Sequence, residues 1–255
     1  NLTVQINTLP DATLQTPFGD GVINAAESAA PQQLQGNTGL AGSGQSVTVA
    51  LNGNDYSGTV DANGNWSVTL PADALGALPA GDSPLRVTVS DAAGNTSRVE
   101  SSVTVDTTPP TLTIDAVAGD NRINAVEAAA PVTVSGGSTA GEGQTVTVTL
   151  NGQTWTAQTD ANGDWTLDLP AGTLAGINSG SYPLAVTVSD AAGNPVTSTS
   201  TLTIQNTQLA PTIATPFGDG YLNSSEAQSG QTLSGTSGAT GAGQSVVVTL
   251  DGVDY

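Results

Sequence analysis

Val87-Thr88-Val89-Ser90-Asp91-Ala92-Ala93-Gly94-Asn95 returns letter for letter as Val186 to Asn194, 99 residues later. Within it, valines alternate with hydroxyl residues, the two-residue period of a strand with one buried face. Asp-Ala-Ala-Gly-Asn then breaks the alternation with turn-forming residues. Working outward, Gly44-Gln45-Ser46-Val47-Thr48-Val49 has counterparts at Gly143 to Val148 and Gly243 to Val248, and Asp61-Ala62-Asn63-Gly64-Asn65-Trp66 returns as Asp160 to Trp165. The intervals of 99 or 100 residues are the size of one β-sandwich and too long for a solenoid repeat.

The phase of the repeat divides the chain. Leu2-Thr3-Val4-Gln5-Ile6 matches Leu202-Thr203-Ile204-Gln205, the last strand before a linker. Residues 1–7 are therefore expected to be the last strand of a preceding domain, 8–106 and 107–205 complete units, and 206–255 the first half of a third. Half a sandwich exposes its inner face, so the molecule is expected to continue beyond both ends.

In the second unit the alternation predicts strands over 111–115, 131–135, 144–150, 154–159, 165–169, 183–189 and 198–204. Asn151-Gly152 between alternating segments marks a tight hairpin, because both turn positions favour left-handed backbone. Val146, Val148, Leu150, Trp165, Leu167, Leu169, Leu184, Val186, Val188, Leu202 and Ile204 fall on one side. The fold class is all-β: tandem immunoglobulin-like seven-stranded β-sandwiches arranged as a rod. Trp66 and Trp165 open strands in phase with the inward residues, so they read as core and not as a sugar-stacking platform. Tyr56, Tyr182 and Tyr255 read as strand or strand-edge residues. Trp155 alone among the tryptophans has no Trp counterpart, a pointer to the second unit should any repeat bind a ligand directly.

Composition excludes several functions. The chain of 255 residues has no Cys, His or Met, and its net charge is −19. Nucleic acid and anionic membrane surfaces are thereby disfavoured as partners. Without His or Cys the usual nucleophile–base pairs cannot be built, nor can nitrogen or sulfur metal sites. The acidic clusters recur once per unit, which suits a repeated structural role better than a single asymmetric catalytic pair. No apolar run approaches the length of a membrane span, and a secretion signal is expected outside this stretch.

One constellation carries a mechanism. Asp20-Gly21-Val22-Ile23-Asn24-Ala25-Ala26-Glu27 recurs around Asp120, Asn124 and Glu127, and again around Asp219, Asn223 and Glu226. This resembles the second half of an EF-hand or dockerin calcium loop, whose tight turn gathers Asp, a backbone carbonyl and Glu around one hard cation. The first half is missing, so other oxygens must come from elsewhere. Asp61, Asp91 and Asn95, and their counterparts Asp160, Asp190 and Asn194, are candidates at the opposite end of a unit. Asp20, Asn24 and Glu27 are expected to face Asp160, Asp190 and Asn194 across the linker that holds Asp106. Two plainer readings stand beside this one. The first motif is also a turn followed by a short capped helix over 25–30, and Asp-Ala-Ala-Gly-Asn is also a hairpin turn whose Asp caps backbone N–H groups.

Val105-Asp106-Thr107-Thr108-Pro109-Pro110, the Asp-x-x-Ile-Asn-x-x-Glu stretch, Asp-Ala-Asn-Gly-x-Trp and Val-Thr-Val-Ser-Asp-Ala-Ala-Gly-Asn together resemble the bacterial Ig-like domains of giant type I-secreted adhesins and biofilm-associated proteins. The resemblance implies a cell-surface rod of spacer domains with structural Ca2+ stiffening the junctions. The partners would be neighbouring domains of the same chain, with host or biofilm surfaces engaged through other parts of the protein. Linkers at 7–12 and 206–211 lack the Asp-Thr-Thr-Pro-Pro form and carry Asn7 and Asn206 near the place of Asp106, so the junctions are not identical. Direct binding of a glycan or host receptor is the alternative, and an accessory array on a secreted hydrolase a more distant one.

Overall fold

A computed structural model describes residues 10–239, 243 and 245–255. The strand expected over residues 1–7 lies outside the described residues. In the first unit the elements are β1 (Thr13–Leu14), β2 (Val22–Ile23), α1 (Ala25–Ser28), β3 (Gln32–Asn37), β4 (Ser46–Leu51), β5 (Asn54–Val60), β6 (Asn65–Leu70), α2 (Ala72–Gly76), β7 (Gly81–Ser90) and β8 (Thr96–Val105). They are ordered β1-β3-β6-β5-β4-β7-β8-β2. The order is continuous because β5 pairs with β4 through Asn54–Gly58 and then with β6 through Thr59 and Val60. The chain thus folds from one layer to the other along a single strand.

The second unit repeats this with β9 (Arg122–Asn124), α3 (Ala125–Ala129), β10 (Val132–Gly137), β11 (Thr145–Leu150), β12 (Gln153–Gln158), β13 (Asp164–Leu169), β14 (Gly180–Ser189) and β15 (Pro195–Gln205). Here β10 pairs with β13, and β12-β11-β14-β15-β9 form the second layer. A single bridge between Thr159 and Trp165 stands where the first unit has its short ladder. Asn52-Gly53 and Asn151-Gly152 each take two successive positive φ values, 48° and 76°, and 49° and 76°, the hairpin turn expected of that dipeptide.

Two details depart from the seven-strand expectation. The opening strand is split: its first part lies against β3 or β10, and its second, β2 or β9, pairs in parallel with the last strand of the same unit. In the second unit the first part reduces to a bridge between Leu112 and Ser138, with Thr113 and Asp115 donating to Gly137 and Ser135. The pairing missed by local periodicity joins residues some 80 apart in sequence over two or three positions (Val22 to Thr104, Ile204 to Ile123). In addition, α2 is a five-residue helix not foreseen.

Each unit has its own core. Leu34, Trp66, Val68 and Leu70 from one layer meet Val47, Val49, Leu85, Val87 and Val103 from the other, and the second unit repeats the set around Trp165. Of the inward residues expected there, only Leu167 is partly exposed. Each buried aliphatic contributes about 1.5–3 kcal/mol. The Trp66 and Trp165 rings pack closely against Gly36 and Gly136. A Cβ at Gly36 would stand 2.6 Å from Trp66 Cζ2 and closer still to the Thr13 carbonyl; at Gly136 it would stand 2.9 Å from Trp165 Cζ2. Beyond residue 206, β16 (Thr212–Ile213) pairs with β17 (Gly235–Thr236) and β18 (Thr249–Leu250) with β19 (Val253–Asp254). Ile213, Val246, Val247, Leu250 and Tyr255 are exposed in this segment.

Gly36→Ala and Gly136→Ala are expected to lose about 1–3 kcal/mol each through overpacking, read as a lower denaturant midpoint by tryptophan fluorescence. Gly42→Ala, where no atom lies within 4 Å but φ is +123°, separates strain from crowding.

Candidate calcium sites and the joint between units

The recurring acids serve backbone N–H groups first. Asp20, Asp120 and Asp219 each accept, through Oδ1, the N–H two residues on, at 2.9 Å in all three. This closes the turn that leads into β2 and β9 in the first two units. Asn24 and Glu27 then form a reciprocal cap. Glu27 Oε2 accepts the Asn24 N–H at 3.0 Å, and Asn24 Oδ1 accepts the Glu27 N–H at 2.9 Å. Asn124 with Glu127, and Asn223 with Glu226, do the same. A capping box needs an Asn oxygen and a Glu three residues later, the spacing that also ends a calcium loop. The capped helix spans Ala25–Ser28, shorter than the 25–30 expected. The cap engages Glu27 Oε2, while Oε1 of the same carboxylate is not needed for it.

At the other end of each unit, the tight loops are closed in the same way. Asp61 Oδ1 accepts from the N–H groups of Asn63 and Asn65 at 2.8 and 2.9 Å, and Oδ2 from the Asn65 amide at 3.0 Å. Asp160 accepts from the N–H groups of Asn162 and Asp164. Asp91, which is buried, takes the N–H groups of Ala93 and Asn95 and, at 2.7 Å, the Asn95 amide. The Asn65 amide, helped by backbone N–H groups, holds the Asp61 carboxyl below the usual aspartate range. The Asn95 amide does the same for Asp91 against an opposing desolvation.

The two ends meet across the linker. Asn194 is 1% exposed; its Oδ1 accepts the Ala25 N–H at 2.8 Å, and its Nδ2 donates to the Asp106 carbonyl at 2.9 Å. Nδ2 also reaches Asp190 Oδ2 at 3.1 Å, so the loop's own acid aims the amide. Gly193, with φ of +86°, lies so close to Asn24 that a Cβ would stand 3.4 Å from its Nδ2. Asn24, Glu27, Asp106, Asp190 and Asn194 are thus gathered at one joint. Asp20 and Asp160 spend their hydrogen bonds within their own turns. The Asp106 carboxylate accepts the Thr108 N–H at 3.1 Å. Among the described residues no three carboxylate, histidine or cysteine groups cluster closely enough to hold a metal by themselves. A cation here would need amide, carbonyl or water oxygens as well. At the next linker, Asn206 does not repeat Asp106: its amide donates to the carbonyls of Ala175 and Ile177, and its Oδ1 accepts from Ser179. Trp155 is half-buried and packs against the core of the second unit.

Successive sandwiches built from one repeated sequence and closed onto each other define a tandem immunoglobulin-like protein. The model of the bacterial Ig-like domain matches residues 22–107 and 108–206, and the chain belongs to that family. It is similar to a solved structure described as a Ca2+-stabilised adhesin that helps an Antarctic bacterium reach out and bind ice, with 39% identity over 92% of this chain and TM-score 0.50. The chain spans 58% of that structure's length. A structure concerning host cell surface retention of a 1.5-MDa bacterial ice-binding adhesin is 32% identical over 92% of this chain and 77% of its own, TM-score 0.46. A single bacterial immunoglobulin-like domain from the M. primoryensis ice-binding adhesin is 43% identical over 37% of this chain and 96% of its own, TM-score 0.30. No curated protein matches the sequence.

Two outcomes test the roles assigned to these side chains. Asn24→Ala is expected to cost about 1 kcal/mol of first-unit stability, the usual value of a lost N-cap. The second concerns pH. The lowered carboxyl of Asp61 means the folded state holds fewer protons than the unfolded one as the pH nears the ordinary aspartate range. Its contribution is complete above the unfolded value and lost as pH falls through the folded one. The stability gap between the chain and Asp61→Asn should therefore be open near about pH 6 and narrow toward about pH 2. A gap independent of pH in denaturant titrations would contradict the assignment.

Proposed function

We propose that this chain is an extender segment of a bacterial surface adhesin, holding an adhesive part of the protein away from the cell, with Ca2+ stiffening the joints. It acts as a spacer and catalyses nothing, and it is exported by type I secretion to a surface engaged in adhesion or biofilm formation. Its own partners are the neighbouring domains. The observation that carries this reading is the joint itself, where a 1%-exposed Asn194 ties the hairpin tip of the second unit to the capped turn of the first. Family membership supports it, and so does a similar protein that is described as Ca2+-stabilised. No helix among the described residues is long and apolar enough to cross a membrane.

The donors at the joint suit a hard cation, being oxygens throughout. Among the described residues no three carboxylates converge at the joint. A Ca2+ there would take a carboxylate oxygen from Glu27 (through Oε1), Asp106 or Asp190, with amide, carbonyl and water oxygens making up most of the shell. When bound, the ion would cancel repulsion between carboxylates that, in a chain of net charge −19, have few cations to meet. Such repulsion is on the order of 1 kcal/mol for each close pair in water and more where solvent is excluded. Extracellular calcium modules bind at roughly 10⁻⁴–10⁻³ M. Millimolar calcium outside the cell would fill the joints, and low cytosolic calcium would leave the chain loose for export.

Small-angle scattering of the chain in about 1 mM Ca2+ and in chelator is the test. The expected result is a larger maximum dimension and narrower distance distribution with calcium, and loss of that difference in Glu27→Gln plus Asp190→Asn. Equal profiles in both conditions would overturn the calcium reading.

A further inference from the structure

The far end of the second unit presents the receiving half of this joint again. Asn124 and Glu127 form the same reciprocal cap, at 2.9 and 3.0 Å, so the Ala125 N–H stands at the head of α3 as the Ala25 N–H stands at the head of α1. Around it lies a groove lined by Asn124, Ala125, Val126, Gln205, Leu209 and Ala239. Its apolar rim is open, with Val126 78% and Leu209 55% exposed. Asn24, which meets Gly193, is half-buried, whereas Asn124 is exposed. The inserting half shows the complementary difference: Ala192 is 8% exposed in the joint, and its counterpart Ala93 is solvent-exposed.

We infer that this groove is the socket for the tip of a β-hairpin carrying Asp-x-x-Gly-Asn, latched by the asparagine amide without a metal. The sequence of the tip is the one this chain carries at Asp91–Asn95 and Asp190–Asn194. In the seated example the tip's Asp fixes the Asn backbone N–H at 2.8 Å, so the amide is aimed before it docks. Its Oδ1 then accepts from the helix-initiating N–H and its Nδ2 donates to the linker carbonyl. In the second unit those partners are the Ala125 N–H and the carbonyl of Gln205. Gln205 follows Ile204, which pairs with Gly180, as Asp106 follows Val105, which pairs with Gly81. The socket wall is already set, because the Asn206 amide ties the linker to Ala175 and Ile177. Glycine before the asparagine is needed both for its positive φ and for the close approach to the capping Asn.

This inference rests on the spacer reading, but chelator throughout the experiment separates it from the calcium half of that reading. The 15N-labelled chain is titrated with a disulfide-cyclised peptide of the sequence Val186–Val196, and with the same peptide carrying Ala in place of the tip asparagine. The expected result is a saturable shift of the Ala125 amide and its neighbours through Leu209, with affinity roughly tenfold weaker for the alanine peptide. In parallel, Asn194→Ala in the chain is expected to raise amide exchange at Ala25 roughly tenfold while core amides such as Val186 stay protected. No shift at Ala125 at millimolar peptide, or equal binding by both peptides, overturns the socket. Unchanged exchange at Ala25 overturns the latch.

Discussion

A backbone that turns sharply at fixed places leaves N–H groups without a ladder partner, and in this chain side-chain oxygens take them up. With three Arg and no Lys against 22 acids, few carboxylates find a cationic partner. Asp61, Asp91, Asp160 and Asp190 close hairpin tips, Asp20 and its counterparts close the turn before β2 and β9, and Glu27 and Glu127 complete helix caps. Each bond of a charged acceptor to a backbone N–H is stronger than a neutral one. The same side chains that give the surface its charge therefore hold the loops in shape, and the shaped loops make the joint. Remove the turn acids and the core strands remain, but the ends of each unit lose the geometry that lets one fit the next.

Between those ends the two units solve one packing problem twice. A Trp packs closely against a strand glycine in each, and branched aliphatics from both layers fill the rest. Differences concentrate outside the core. Arg86 pairs across β7–β8 with Glu100 in the first unit, where Ala185 faces Thr199 in the second. Asp106 begins one linker, and Asn206 clamps the other to the preceding unit. Conserving the interior while varying linkers gives joints of unequal chemistry along one chain.

The layers were legible because Val-Thr-Val alternation is a local signal that repeats. The parallel strands β2 and β9 were not, since two or three residues paired with a strand some 80 positions away leave no periodicity to read. Asn24 and Glu27 were visible as a functional pair, but their spacing serves a helix cap and the end of a calcium loop equally well. Which N–H each oxygen meets depends on three-dimensional placement. Asn194 is the clearest case: the phase of the repeat already set it opposite Asn24 across the linker of Asp106, but only the fold shows its amide bonding the Ala25 N–H and the Asp106 carbonyl.

The parallel pairing of β2 with β8 has a mechanical meaning. Residues Val22 and Ile23 lie near the start of the unit and Thr104 and Val105 at its end, so a pull on the two ends drags these strands past each other. Bonds from Thr104 to Gly21 and from Asp106 to Ile23 lie across that motion and must fail together, unlike a hairpin that unzips bond by bond. The second unit repeats the clamp with β9 and β15. Survival under a sustained pull is set by the unfolding rate and not by equilibrium stability. A chain of such units pulled at both ends would thus draw its tensile strength from a few hydrogen bonds at the seam where each unit's first and last strands lie side by side.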